Sequence, residues 1–285
     1  MSKIGTLSYI NYPFPGPSSC SYKSPSLFKW EREGDTRVFI DHSIRHLREK
    51  TKYNDFGWFS ESPELQSSVK EYLINNKELL KEYYINIFTF DQEIIDLDPD
   101  FFLWNPPGSN LPWTPEEDYG IHNKNKICSI INSGKDYASG HKFRNKLANI
   151  YSNCVDVYGS KIGPRWKENW YKEKKDYLKD YMFSIVIENC QSPNYYTEKI
   201  TDCFSLGVIP IYWGSEKVYS DFNPEGIIRY TENFTPDQLN KELYESKIDY
   251  VMDNLERVKK LQSADDLLYQ SISRILSDRD FLFKP

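Results

Sequence analysis

The chain has 285 residues, 39% hydrophobic and 27% charged, a soluble balance and a length that fits two domains of roughly 100 to 150 residues better than one core. Its formal net charge of -6 supplies no cationic field for nucleic acid, so an anionic ligand has to be captured locally. The N-terminal "MSKIGTLSYINYPFPGPSSC" lacks a signal-peptide core, and no later stretch approaches the roughly 18 apolar residues of a membrane span.

After the Pro- and Ser-rich opening, "TRVFIDHSI" (Thr36 to Ile44) alternates like a strand. "QSSVKEYLINNKELLKEYY" (Gln66 to Tyr84) has the spacing of a helix, and "INIFTFD" (Ile85 to Asp91) reads as a buried strand. Between Asn105 and Asp118, "NPPGSNLPWTPEED" concentrates turn formers and marks a connector, which places two domains at residues 1–112 and 113–285. The second part alternates again. Strand "ICSIIN" (Ile127 to Asn132) is followed by a helix near His141 to Tyr151, strand "VDVYG", a charged helix near Lys167 to Asp180 and strand "FSIVIE". A loop from Asn189 to Tyr196 then leads to a helix from Glu198 to Leu206 closed by Gly207, and to strand "VIPIYW" (Val208 to Trp213). Beyond Pro236 the chain is mostly helical, as in "YVMDNLERVKKLQ". Strands taking turns with helices predict parallel sheets, hence an α/β fold of two Rossmann-like domains facing a cleft, with C-terminal helices.

Open parallel sheets bind ligands beyond the carboxyl ends of their strands, the position of Asn189 to Lys199. A lysine in the first turn of a helix opposes the macrodipole, so Lys199 needs a reason to be there. The unpaired amide hydrogens of that turn form an anion site, and a lysine beside them completes a receptor for a phosphate or diphosphate. Glu198 can accept two hydrogen bonds from a ribose diol; Asn189 either caps a turn or reaches a ligand, and Tyr195 offers a phenol on the same loop. Upstream, "SGKDYASGHKFRNKL" brings Lys135 and Arg144 to the same side of the sheet without P-loop spacing.

The stretch "ENCQSPNYYTEKITDCFSLGVIPIYWGS" resembles the signature of glycosyltransferase family 10, the α-1,3/4-fucosyltransferases, and the similarity extends back through "ICSIINSGKDYASGHKFRNKLANIYSNCVDVYG". It covers Lys124 to about Tyr230 and is loose in the first domain. Tyr196 and the residues Cys190 to Asn194 depart from familiar members. The resemblance implies a GT-B architecture and an inverting transfer of L-fucose from GDP-fucose to a hydroxyl of an oligosaccharide or glycoconjugate, with no obligatory metal or cofactor. It implies that Arg144 and Lys199 bind the diphosphate, that Asn189 and Tyr195 contact the phosphate and sugar, and that Glu198 holds the ribose. It also implies a carboxylate base in the first domain, for which "WFSESPEL" (Trp58 to Leu65) is the loosely similar segment: Glu61 is expected in that role, with Glu64 the alternative. Another GDP-hexose donor, or a non-catalytic glycan-binding module, are the competing readings. Animal relatives carry an N-terminal anchor, so its absence here points to a bacterial or viral origin.

Other signals are weaker. The five cysteines, Cys20, Cys128, Cys154, Cys190 and Cys203, form no C-x-x-C pair, which favours a reducing, cytoplasmic compartment over a disulfide framework or zinc site. "DLDPD" (Asp96 to Asp100) has metal-binding D-x-D spacing but reads as a turn, and His42 and His46 as a surface pair. An aromatic content of 16% reads as packing, with aromatics lining a sugar site the alternative, and Trp113 reads as part of the connector, with contact to a substrate the alternative.

Overall fold

In the computed structural model, which describes residues 5–10, 24–47, 53–159 and 174–282, the first unit is a six-stranded sheet: β1 (Gly5–Ile10), β2 (Phe28–Glu31), β3 (Thr36–Ile40), β4 (Asn54–Phe59), β5 (Ile87–Thr89) and β6 (Phe102–Trp104). The strand order is β2-β1-β3-β4-β5-β6 and every pairing is parallel. Parallel strands are covered on both faces and so read as near-continuous apolar runs; Val38 to Ile40 and Phe56, Trp58 and Phe59 are all buried. The expected single helix from Gln66 to Tyr84 is instead two, α1 (Ser67–Asn75) and α2 (Lys77–Tyr83). The break falls at Asn76, whose side-chain amide donates to the Tyr72 carbonyl at 2.9 Å, the local competition with helical bonding that disfavours asparagine inside helices. The helix α3 (Gln92–Leu97) starts at Asp91, which accepts from the Glu93 N–H.

The second unit spans residues 110–261. Its sheet contains β7 (Lys126–Ile131), β8 (Asp156–Tyr158), β9 (Tyr181–Ile187), β10 (Ile209–Trp213) and β11 (Ile228–Arg229), all parallel in the order β11-β10-β9-β7-β8. Strand β9 is buried along its whole length, with Ile185 in register between Ile130 and Ile211. The helices α4 (Ser139–Ile150) and α5 (Glu198–Ser205) follow β7 and β9. Gly207 ends α5 in the left-handed region at φ 66°, where a Cβ would meet Ile121 at 2.5 Å, so glycine is needed for conformation and space alike. Later helices are α6 (Val218–Asp221), α7 (Lys241–Ser246) and α8 (Ile248–Lys259). Of the charged helix expected near Lys167 to Asp180, Lys174–Tyr177 is a 3-10 turn and residues 167–173 lie outside the described residues, as does Cys20.

The last helix, α9 (Ala264–Leu282), corrects the expected division at 112/113. Residues 262–285 belong to the first unit, which ends its first pass at Ser109. Ala264, Leu268 and Ile272 pack with Leu7, Phe28, Val38 and Trp58, and Asp266 accepts from the Ser26 and Leu27 amides at 2.9 and 3.0 Å. Contacts between chain ends more than two hundred residues apart leave no local pattern, so the sequence gives no sign of this return. Leu268→Ala, at a fully buried site, is expected to lower the stability of the first unit by about 2–5 kcal/mol in urea denaturation. No helix among the described residues is long and apolar enough to cross a membrane.

Candidate functional site

The order of the second sheet reverses between β7 and β9, the switch point at which open α/β sheets leave a crevice beyond their carboxyl ends. Two helix starts meet there. The Gly140 N–H donates to the Asn189 carbonyl at 2.9 Å, and a Cβ at Gly140 would lie 1.8 Å from the Glu188 carbonyl oxygen, so only glycine lets α4 approach the loop that follows β9. The N-cap of α4 is Ala138, which has no side-chain acceptor, and that of α5 is Thr197, whose side chain does not cap the helix. Neither first turn thus has its amide hydrogens satisfied by an N-cap side chain.

Lys199 is explained by its partners. Its ammonium donates to Thr197 Oγ1 at 2.8 Å and to Glu188 Oε2 at 3.2 Å, and lies 3.8 Å from Glu198. Glu188 is fully buried and also accepts from the Thr197 N–H and hydroxyl, each at 2.9 Å. The carboxylate therefore anchors the ammonium and offsets the unfavourable dipole of α5. Lys199 remains 20% exposed in its side chain, and two of its three N–H donors are used by these partners. Arg144, buried on α4, donates to the Ile187 carbonyl. Burial lowers the pKa of its guanidinium, and Glu188, Glu198 and Tyr195 oppose that effect. The two carboxylates that hold Lys199 thus also favour the charged form of Arg144. Burial pushes the Glu198 carboxyl up, but Lys199 and Lys174 outweigh it and hold Glu198 below the ordinary range.

The remaining expected residues fall into three groups. Asn189 and Tyr195, both buried, hold each other through a 3.1 Å bond from Asn189 Nδ2 to the phenol oxygen. Lys135 is exposed on the loop before α4, with its carbonyl bonded to Asn145. Glu61 belongs to the other unit, at the carboxyl end of β4, where its Oε1 accepts from the Ser62 N–H at 2.6 Å. Asp41, a buried non-glycine residue at φ 47°, ends β3 and accepts from the amides of Ser60 and Glu61 at 2.8 and 3.2 Å, which fixes the turn carrying Glu61. Glu64 is exposed.

Sequence reasoning missed Glu188, His141, Lys174 and Asp202. A carboxylate closing a strand buried along its whole length has to be paired, and that signal was available for Glu188. Lys174 sits among unpatterned charges; in the fold it contacts Asp202, lies 3.4 Å from Glu198 and stacks 4.8 Å from the Trp113 ring. Asp202 in turn accepts from the Trp113 and Thr114 amides at 2.7 and 3.1 Å, so Trp113 braces the connector against α5. In the first unit, Asp98 pairs with Lys81 and Asp96 accepts from Gln92, while His42 bonds Arg45.

A cavity of about 700 Å³ opens beside Glu188, between the loop after β9 and the one after β10. Gln191, Ser192, Asn194, Ser215 and Ser220 line it with neutral amides and hydroxyls, together with the oppositely charged Glu216 and Lys217. Its wall at Gly214 is tight enough that a Cβ would lie 2.7 Å from Glu188 Cγ.

Residues 121–252 match the family model described as glycosyltransferase family 10 (fucosyltransferase) C-term. The chain is 46% identical over 57 residues to the alpha-(1,3)-fucosyltransferase FucT of Helicobacter pylori, covering 20% of this chain and 12% of that protein. It is 33% identical over 115 residues to alpha-(1,3)-fucosyltransferase B of Drosophila melanogaster, covering 32% of this chain and 25% of that protein. The chain thus spans a quarter or less of the length of these relatives. A crystal structure of an alpha1,3-fucosyltransferase covers 94% of this chain and 89% of its own with a TM-score of 0.52 at 15% identity, a likeness of fold. Every residue of the β7/β9 site lies inside the segment that matches the glycosyltransferase family 10 model.

Proposed function

We propose that the chain is an inverting glycosyltransferase that moves L-fucose from GDP-fucose to a hydroxyl of a glycan acceptor. The observation that carries this reading is the convergence of Arg144 and Lys199 on Glu188 and Glu198, between two helix starts at the β7/β9 switch point. The third N–H of Lys199 and the start of α5 supply the donors for the diphosphate. Glu198, kept ionised by Lys174 and Lys199, accepts from the ribose hydroxyls. The polar cavity lined by Gln191, Ser192 and Asn194 suits a hydroxyl-rich sugar. In the transfer, the acceptor oxygen forms its bond to the anomeric carbon as the bond from that carbon to the phosphate oxygen breaks, and GDP leaves with the electron pair. Glu61 takes the hydroxyl proton, and the fixed cations stabilise the charge that appears on the leaving group. The reading needs no metal, because Arg144 and Lys199 supply that charge.

Donor-dependent GDP or UDP release, measured across GDP-fucose, GDP-mannose and UDP-sugars with a panel of oligosaccharides, tests it. GDP-fucose is expected to turn over fastest, with a product heavier by one deoxyhexose in mass spectrometry. Turnover of another GDP-hexose alone would change the donor, and oligosaccharide binding without turnover of any donor would favour a glycan-binding module.

A further inference from the structure

His141 is the third residue of α4 and 5% exposed. Its Nδ1 has no hydrogen-bond partner, and a buried polar atom in that condition calls for an explanation. The Asn189 side chain favours the protonated form of the ring. Asn189 Nδ2 donates to the Tyr195 phenol, which leaves the Asn189 oxygen as the side-chain atom able to accept from a ring N–H. The groups facing this ring are Arg144 from its own helix, Lys135 from the preceding loop, Lys199 from α5, Asn189 from the loop after β9 and the Tyr137 ring at 6.3 Å. Burial and then Arg144, Lys199 and Lys135 push its pKa down to about 4, so the ring is neutral at physiological pH. A neutral imidazole buried among these cations becomes a charged donor when it takes up one proton.

We infer that His141 takes up a proton when the donor diphosphate enters, and that Nδ1–H then donates to a phosphoryl oxygen as a third cationic contact beside Arg144 and Lys199. The inference rests on the donor site proposed above. The two negative charges of the diphosphate offset the neighbouring cations that keep the ring neutral, so the pKa of His141 is higher in the complex than in the free protein. Binding therefore takes up a proton, and affinity rises as pH falls through the pKa of the complex.

Calorimetry with GDP-fucose, whose two phosphates do not titrate near neutrality, reads this directly when run at pH 6 in two buffers of different ionisation enthalpy. Wild-type protein is expected to take up a large fraction of one proton and to bind about tenfold more tightly at pH 5.5 than His141→Gln. The glutamine keeps an amide N–H toward Asn189 and removes Nδ1, so a merely structural role for the ring would leave its proton uptake and affinity at wild-type values, and that result overturns the inference. If GDP-fucose binds, Lys199→Ala weakens it and His141→Gln takes up as many protons as wild type, the histidine role fails while the donor site stands. If wild-type protein does not bind GDP-fucose, both fail together.

Discussion

Lys199→Ala is expected to lower turnover of GDP-fucose at least about a hundredfold, the scale of losing one contact to charge that develops in the transition state. The ammonium is held by Glu188 and Thr197 at 3.2 and 2.8 Å, so its position is fixed by the protein and little reorganisation is needed as the leaving group gains charge. The same geometry complicates the variant. Glu188 is fully buried, and removing its cation strands a charge, which costs about 3–5 kcal/mol in comparable buried pairs. The double variant Lys199→Ala with Glu188→Gln separates the two effects: it is expected to recover most of the lost stability in urea denaturation and none of the lost turnover. Steady-state rates for Lys199→Ala within threefold of wild type would remove the diphosphate role from this lysine.

Much of this site was legible because it is local. The apolar run Tyr181 to Ile187, the loop, the helix start at Glu198 and the stop at Gly207 lie in one continuous stretch, and strand and helix periodicities announce themselves over such distances. The misplaced charge of Lys199 is likewise a feature of one turn. What escaped reading depends on partners far along the chain. The pairing of Lys174 with Asp202 and Glu198 crosses more than twenty residues with no recurring spacing. The unpartnered edge of His141 exists only once α4 has packed against β9. The return of α9 to the first sheet depends on Asp266 meeting the Ser26 and Leu27 amides, and no periodicity encodes that. In the first unit the strands β1, β2 and β6 are short or lie next to turn-rich segments, so their alternation was too brief to register. The edge strand β11, two residues long, shows the same limit in the second unit.

Glu61→Gln is expected to lower transfer by about a hundredfold to ten-thousandfold, the range for losing a general base, while GDP binding keeps its wild-type affinity. The second half follows from the separation of roles: the groups assigned to the nucleotide all lie within residues 135–199, in the second unit. The substitution is nearly isosteric, and the glutamine oxygen still accepts from the Ser62 N–H that now meets Glu61 Oε1 at 2.6 Å. The turn should hold as well, because Asp41 fixes it through the backbone amides of Ser60 and Glu61 and not through the glutamate side chain. A loss of transfer with intact GDP affinity and an unchanged urea transition would therefore report on chemistry. Glu64→Gln is the control: that carboxylate is exposed in the turn leading into α1, and its variant should retain wild-type transfer. If Glu64→Gln loses transfer and Glu61→Gln keeps it, proton abstraction passes to Glu64; if both keep it, the base is a carboxylate outside the Trp58 to Leu65 segment.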